Sequence, residues 1–328
     1  MHRRTLELAF AAILGLVATA ALANDSTAEK VAGGLVLTRT DAIDMVSEDL
    51  FISPERVRVA YVFRNRTRAP IRTTVAFPMP DRDLDEMSLS DTAYPSQFRT
   101  LVDGRPVTMQ VERRAMLNGV DHTAYLAGLG IPVQTGDPAS GVLTRALLRL
   151  RAADRQRLID MGLAGDGGGD LHPMWAVKET YYWEQVFPAG RDLNVQHSYV
   201  PGVGGSVAVS LGYPDYRNSA EGRAAQRRYC MDRDFLGALD RWAARDRNNI
   251  NSTEQRLGYI LTTGGNWRSP IGSFRLVVDK LNPRAIISFC GEGVRRLSPT
   301  QFEVRHRNWR PTSDLHILIA TPLTDSGQ

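Results

Sequence analysis

The chain has 328 residues, 43% of them hydrophobic and 23% charged, a balance that excludes a disordered polar tail. Lys+Arg of 40 against Asp+Glu of 36 leaves a net charge of +4. No long run of like charge exists, and no basic stretch interleaved with aromatics points to a nucleic-acid partner.

The first residues carry the strongest local signal. His2, Arg3 and Arg4 give a basic start, an apolar run follows over 8–22, and Ala21-Leu22-Ala23 precedes the polar Asn24-Asp25-Ser26. Basic, apolar and small-x-small parts in that order predict a secretory signal peptide over 1–23, cut between Ala23 and Asn24. An uncleaved anchor is the competing reading, but a run of about 15 residues falls short of the roughly 20 that span a bilayer. No later apolar stretch reaches that length. A periplasmic or secreted chain with no transmembrane segment after cleavage is therefore expected.

Beyond Leu35 the dominant period is two. Val57, Val59, Tyr61 and Phe63 predict a half-buried strand closed by Asn65, and Ile71, Thr73, Val75 and Phe77 a second one, stopped by Pro78 and Pro80. Asp81, Asp83, Asp85 and Glu86 follow as an acidic loop without the spacing of a calcium-binding loop. Asp103-Gly104 suits the positive φ angles of a tight turn and predicts a hairpin between 98–102 and 106–112. Residues 141–163 set Val142, Leu143, Ala146, Leu147, Leu150, Leu158 and Met161 at three- and four-residue steps, predicting one amphipathic helix that covers the end of a sheet.

The β pattern returns at Trp175. Tyr181, Trp183, Gln185 and Phe187 alternate with Tyr182, Glu184 and Val186. Leu193, Val195, His197 and Tyr199 follow a Pro188-Ala189-Gly190 turn, and a further strand is expected over 207–211. A second helical block over 221–245 places Phe235, Leu236, Leu239, Trp242 and Ala243 on one face. Strands over 256–262, 273–279, 285–289, 301–305 and 315–320 complete the chain. The fold class expected is mainly β with helical insertions, an antiparallel β-sandwich-like architecture. Residues 24–213 and 214–328 form either two β regions or one composite domain.

The chemistry-bearing residues are dispersed. Cys230 and Cys290, outside the cytoplasm and without a C-x-x-C motif, predict a disulfide. His122, His172, His197, His306 and His316 stand singly, with no metal-ligand spacing; His197 and His316 read as sheet residues. Gly204-Gly205-Ser206-Val207-Ala208 imitates a nucleophile elbow but lacks its last Gly. No catalytic set, metal or cofactor is assigned. The candidates for a surface role are Trp175, Tyr181, Tyr182, Trp183 and Trp267, with Tyr182 on the face opposite Tyr181 and Trp183; those that face outward could stack on sugars or anchor a partner, core packing being the competing reading. The expected role is a non-catalytic envelope module that binds a polysaccharide or another protein. The alternatives are a hydrolase whose site assembles only in space, and an assembly factor that lends a strand or groove to clients.

Several stretches resemble a secreted bacterial family known only as domain of unknown function 4424. They are Ile52-Ser53-Pro54-Glu55, Val59-x-Tyr61-Val62-Phe63-Arg64-Asn65, Val75-Ala76-Phe77-Pro78-Met79-Pro80 and Tyr182-Trp183-x-Gln185-x-Phe187-Pro188-Ala189-Gly190. To these add Leu261-Thr262-Thr263-Gly264-Gly265-Asn266-Trp267, Phe274-Arg275-Leu276-Val277-Val278-Asp279-Lys280 and Ser288-Phe289-Cys290. The resemblance implies an exported protein and carries over no activity or catalytic residue. More weakly, Phe63 and Asn65, then Phe77-Pro78-Met79-Pro80, then Pro188-Ala189-Gly190 before Tyr199 resemble the VIT domain, a fold analogy only.

Overall fold

The computed structural model describes residues 24–31, 34–84, 95–133, 141–168, 171–245 and 252–323. The expected signal peptide lies outside these residues, as do Asp85 and Glu86 of the acidic loop.

In chain order, β1 (Ser26–Val31) and β2 (Gly34–Thr38) form a hairpin, and β3 (Ile43–Ser53) turns through Pro54-Glu55 into β4 (Arg56–Asn65). Then come β5 (Ile71–Pro78), the short β6 (Arg82–Asp83), β7 (Ser96–Val102), β8 (Arg105–Val107), β9 (Gln110–Leu117) and β10 (Val120–Asp121). Helices α1 (Thr123–Gly128), α2 (Val142–Leu148) and α3 (Ala152–Asp160) lead to a small hairpin of β11 (Ala164–Asp166) and β12 (Leu171–Pro173). The long β13 (Ala176–Phe187) and β14 (Asp192–Val200) precede β15 (Gly204–Ser206) and helices α4 (Pro214–Arg217), α5 (Ala220–Arg228) and α6 (Arg233–Arg245). Last are β16 (Ser252–Tyr259), β17 (Ile271–Asp279), β18 (Ile286–Phe289), β19 (Arg295–Arg296), β20 (Gln301–Trp309) and β21 (Leu315–Pro322).

Among the described residues the larger sheets are three. A seven-stranded sheet runs β10-β9-β13-β5-β1-β2 with β6 added to β13, an eight-stranded sheet runs β19-β20-β17-β3-β4-β14-β7-β8, and a four-stranded sheet runs β15-β16-β21-β18. The architecture is mainly β and sandwich-like, as the period-two pattern predicts. Val57, Val59, Tyr61 and Phe63 of β4 and Leu193, Val195, His197 and Tyr199 of β14 turn to one face of the eight-stranded sheet. There they meet Val75, Phe77, Trp183 and Phe187 of the seven-stranded sheet and Leu257, Tyr259, Ile317 and Ile319 of the four-stranded one in a single core. Both this core and the eight-stranded sheet draw strands from either side of residue 213. The hairpin at Asp103-Gly104 forms as expected, with φ of 46° and 77° at the two turn residues.

Three expected elements differ. The helix expected over 141–163 is two, because the backbone at Arg151 is extended and Asp154, bonded by Arg151 at 2.8 Å, starts a fresh first turn. An acid there complements the positive end of the helix dipole. The apolar stripe still covers a sheet end: Leu147 and Leu158 pack with Trp175 and Val177 in a satellite core. The block over 221–245 splits likewise at Cys230, whose φ is 49°. Ser219 accepts from Gly222 N–H at 3.0 Å at the start of α5, and Asp232 accepts from Phe235 N–H at 2.8 Å at the start of α6. The strand expected over 207–211 is absent. Val207 is 81% exposed, and Ser210–Gly212 is a 3-10 turn that tucks Leu211 beneath α6.

Candidate functional site

Four of the five aromatics singled out for a surface role are buried. Trp175 is 0% exposed and donates through Nε1 to Val133 O at 3.0 Å. Tyr181 stacks on Phe98 with ring centroids 4.2 Å apart. Trp183 donates to Gln185 Oε1 at 3.0 Å, and Trp267 to Asp25 O at 2.6 Å beside Phe63. Alternation along a strand shows that two faces differ without showing which one another sheet will cover. Here Tyr181 and Trp183 share the covered face with Phe187, and the opposite residue, Tyr182, lies half-buried under Lys30 Nζ at 4.8 Å. In this structure none of the four is presented to a partner.

Burial on that face creates a polar cluster that local spacing does not reveal. His197 on β14 lies between Thr100 of β7, whose Oγ1 is 2.9 Å from Nδ1, and Asp25, whose carboxylate oxygens are each 3.2 Å from Nε2. Hydroxyl, imidazole and carboxylate thus stand in the order of a nucleophilic triad. Access is missing: the His197 and Asp25 side chains are 0% exposed, and Phe77, Phe98, Trp183 and Tyr61 ring the imidazole at 4.9–5.9 Å. The Asn24 amide donates to Glu48 Oε2 at 2.9 Å, and Tyr61 and Tyr259 share a hydroxyl–hydroxyl bond of 2.9 Å. Burial pushes the Asp25 carboxyl above its ordinary range, only partly offset by His197. Burial, reinforced by the Asp25 charge and opposed by the Asn24 bond, pushes Glu48 up to about 8.

The accessible site lies where the three sheets meet, next to this cluster. A cleft of about 240 Å³ is lined on one side by Met79, Pro80, Asp81, Arg82 and Asp83 beyond the end of β5 with Glu179 of β13, and on the other by Arg228, Tyr229 and Arg256, the last ion-paired to Glu254 at 2.5 Å. Tyr199 and the Pro201–Gly204 loop link the two walls. The prolines that end β5 set the acidic wall, since a proline cannot extend the ladder. Close packing holds β16 against it: a Cβ on Gly258 would sit 3.4 Å from Pro80 Cγ. The basic wall is fixed by the turn that ends α5. Ser288 Oγ donates to Tyr229 O at 2.9 Å, and the predicted disulfide joins Cys230 to Cys290 with Cα atoms 5.0 Å apart. Partial desolvation and the neighbouring Asp83 raise the Asp81 pKa against the pull of Lys178. Burial raises that of Tyr229, while the guanidinium groups of Arg256 and Arg228 act in the opposite sense. Among the described residues no three His, Cys, Asp or Glu side chains gather as a metal site, and no helix is long and apolar enough to cross a membrane.

The chain matches the family described as a domain of unknown function, DUF4424, over residues 23–318. It belongs to that family. No curated protein matches it. Among solved structures, this DUF4424 chain is similar to a "putative nutrient binding protein" from Legionella pneumophila, at 15% identity and a TM-score of 0.43, over 90% of this chain and 72% of that one. It is also similar to an M1 zinc metallopeptidase from Deinococcus radiodurans, at 10% identity and a TM-score of 0.27, over 86% of this chain and 43% of that one. At those scores neither likeness carries a functional argument, and the VIT analogy gains nothing from the family match.

Proposed function

We propose that the protein is an exported, non-catalytic binding module of the cell envelope, periplasmic or secreted, whose ligand site is the cleft at the three-sheet junction. The observation that carries this reading is that one cleft presents both charges, Arg228 and Arg256 on one side and Asp81, Asp83 and Glu179, with Arg82 among them, on the other. A guanidinium pairs well with a carboxylate, and desolvation inside a cleft strengthens such pairs. The complementary ligand is small and bears both charges: an amino acid, a short peptide, or the free peptide end of an envelope polymer. A disulfide beside the site and the signal-peptide pattern both support a location outside the reducing interior. Titration calorimetry of the oxidised protein with amino acids, dipeptides and neutral sugars tests it. Zwitterions are expected to bind, and Arg228→Ala or Arg256→Ala to weaken them by at least about tenfold. Binding that is absent for every zwitterion, or indifferent to both substitutions, removes the proposal.

A second reading, hydrolysis, rests on the two carboxyl groups of Asp81 and Asp83 lining one wall of the cleft, a pair of the kind used in general acid–base chemistry. It predicts turnover of a bound peptide or glycan that Asp81→Asn abolishes while binding persists. Under the binding reading the same substitution weakens binding, and no product forms.

A further inference from the structure

Asn24, Asp25 and Ser26 are each 0% exposed. Backbone and side-chain polar groups placed so deep must find partners inside the protein. Asn24 finds several. Its backbone N–H donates to Thr263 Oγ1, its side-chain amide donates to Glu48 Oε2 at 2.9 Å, and its side-chain oxygen accepts from Asp25 N–H at 2.9 Å. Glu48 is less well served, because its Oε1 is buried and has no partner. The charged groups that face one another here are Glu48 from β3, Asp25 before β1 and His197 from β14, with the Tyr61 and Tyr259 phenols alongside. Two acids thus stand against a single imidazole. A buried carboxylate lacking a counter-charge costs several kcal/mol, and it needs donors for both oxygens.

We propose that cleavage between Ala23 and Asn24 completes this cluster, the α-ammonium created on Asn24 being the cation that Glu48 and Asp25 hold inside the core. The step is amide hydrolysis by a signal peptidase with water as co-reactant. The carbonyl carbon of Ala23 gains the hydroxyl of water, its bond to the Asn24 nitrogen breaks, and that nitrogen takes the proton. The departing acid then ionises, and the released proton converts the amine to an ammonium. An amide nitrogen offers one hydrogen and no charge, whereas an ammonium offers three hydrogens and a full positive charge. Glu48 lacks a donor at Oε1 and a counter-charge for the carboxylate as a whole. The polar side chains of β3, β4, β14 and β16, with Thr263, therefore form a receptor for the chain's own processed end, and the core reaches its final electrostatic state only after export. This inference stands apart from the cleft: the cluster can hold the terminus whether or not the cleft binds a zwitterion.

The exported, oxidised protein provides the test. Intact mass and N-terminal sequencing are expected to show Asn24 first. Acetylation of the α-amine by an N-hydroxysuccinimide ester is expected to run at least about 100-fold slower in the folded protein than in urea, because reaction requires the core to open. Glu48→Gln is expected to lower the thermal midpoint of the processed protein, while leaving unchanged or raising that of a chain extended by Met-Ala before Asn24. A first residue other than Asn24, equal labelling rates folded and unfolded, or the same lowering by Glu48→Gln in both forms overturns the proposal. The labelling measurement needs only the wild-type protein, so it decides the matter if either Glu48→Gln form fails to fold.

Discussion

Lys280 is one of only three lysines in a chain whose positive charge is otherwise arginine, and it is 5% exposed. Its Nζ donates to the carbonyls of Asn282 and Pro283 at 2.9 Å each and to that of Ala285. A compact ammonium with three rotatable donors can close that loop, whereas a flat guanidinium fork cannot point three ways at once. Lys280→Met keeps most of the volume and strands the carbonyls, so a loss of about 3 kcal/mol is expected in urea unfolding. Lys280→Arg is expected to restore little of it. Glu48 yields a second expectation at this scale. While Asn24 is still in peptide linkage, Glu48 is pushed from an ordinary 4.5 up to about 8, and Asp25 is raised in the same sense. The folded chain then holds a proton that the unfolded chain has released. Stability of the extended form should fall as pH rises from about 4.5 towards 8, by a few kcal/mol in all. Urea midpoints at about pH 5 and about pH 8 measure this slope, which Glu48→Gln should flatten. The rarity of Lys280 was a signal available in the sequence. The Asp25–His197–Thr100 contact was not, because its members lie 172 and 97 positions apart and no local spacing relates them.

Between elements, the clearest dependence runs from the disulfide through the end of α5 to the cleft. Cys230 directly follows Arg228 and Tyr229, and its partner Cys290 directly follows β18. Opening a loop of 60 residues should cost about 4 kcal/mol in the chain-entropy account. It should also free the basic wall to move. Cys230→Ser with Cys290→Ser is therefore expected to lower the urea midpoint and to weaken zwitterion binding. Full affinity in the double variant would show that α5 is held in place without the covalent tie. The cysteine pair was legible because composition and export context narrow two thiols to few fates. The break within 221–245 was written there too, as the cap Asp232. Hydrophobic period runs across it, and period alone therefore merges α5 with α6. The inward turn of Trp183 was decided by which sheet covers which face, a tertiary choice that alternation within β13 leaves open.

At the scale of the molecule, the sheets are joined by a few contacts of great sequence separation. The Tyr61 and Tyr259 hydroxyls, 2.9 Å apart and both buried, connect the eight-stranded sheet to the four-stranded one. Removing one hydroxyl leaves the other without its partner, so Tyr61→Phe or Tyr259→Phe alone should cost about 1–2 kcal/mol, and the double substitution less than the sum. Strand pairing extends the same dependence. β3 pairs in parallel with β17 from Ser47↔Ser273 to Ile52↔Val278, so the centre of the eight-stranded sheet is made from both ends of the chain. A chain ending at residue 213 would lack β17 and β20, leave β3 as a bare edge, and expose Leu50 and Ile52, which are now 0% and 1% exposed. Such a fragment is expected to bury too little apolar surface to offset the ordering of its strands. The intact protein is therefore expected to unfold in one cooperative transition. Single-tryptophan variants retaining Trp183 or Trp267 alone should report the same urea midpoint, since the two indoles lie on opposite sides of residue 213 yet in one core. Midpoints that separate beyond error, or a fragment over 24–213 that gives dispersed amide resonances by itself, would divide the chain into two units.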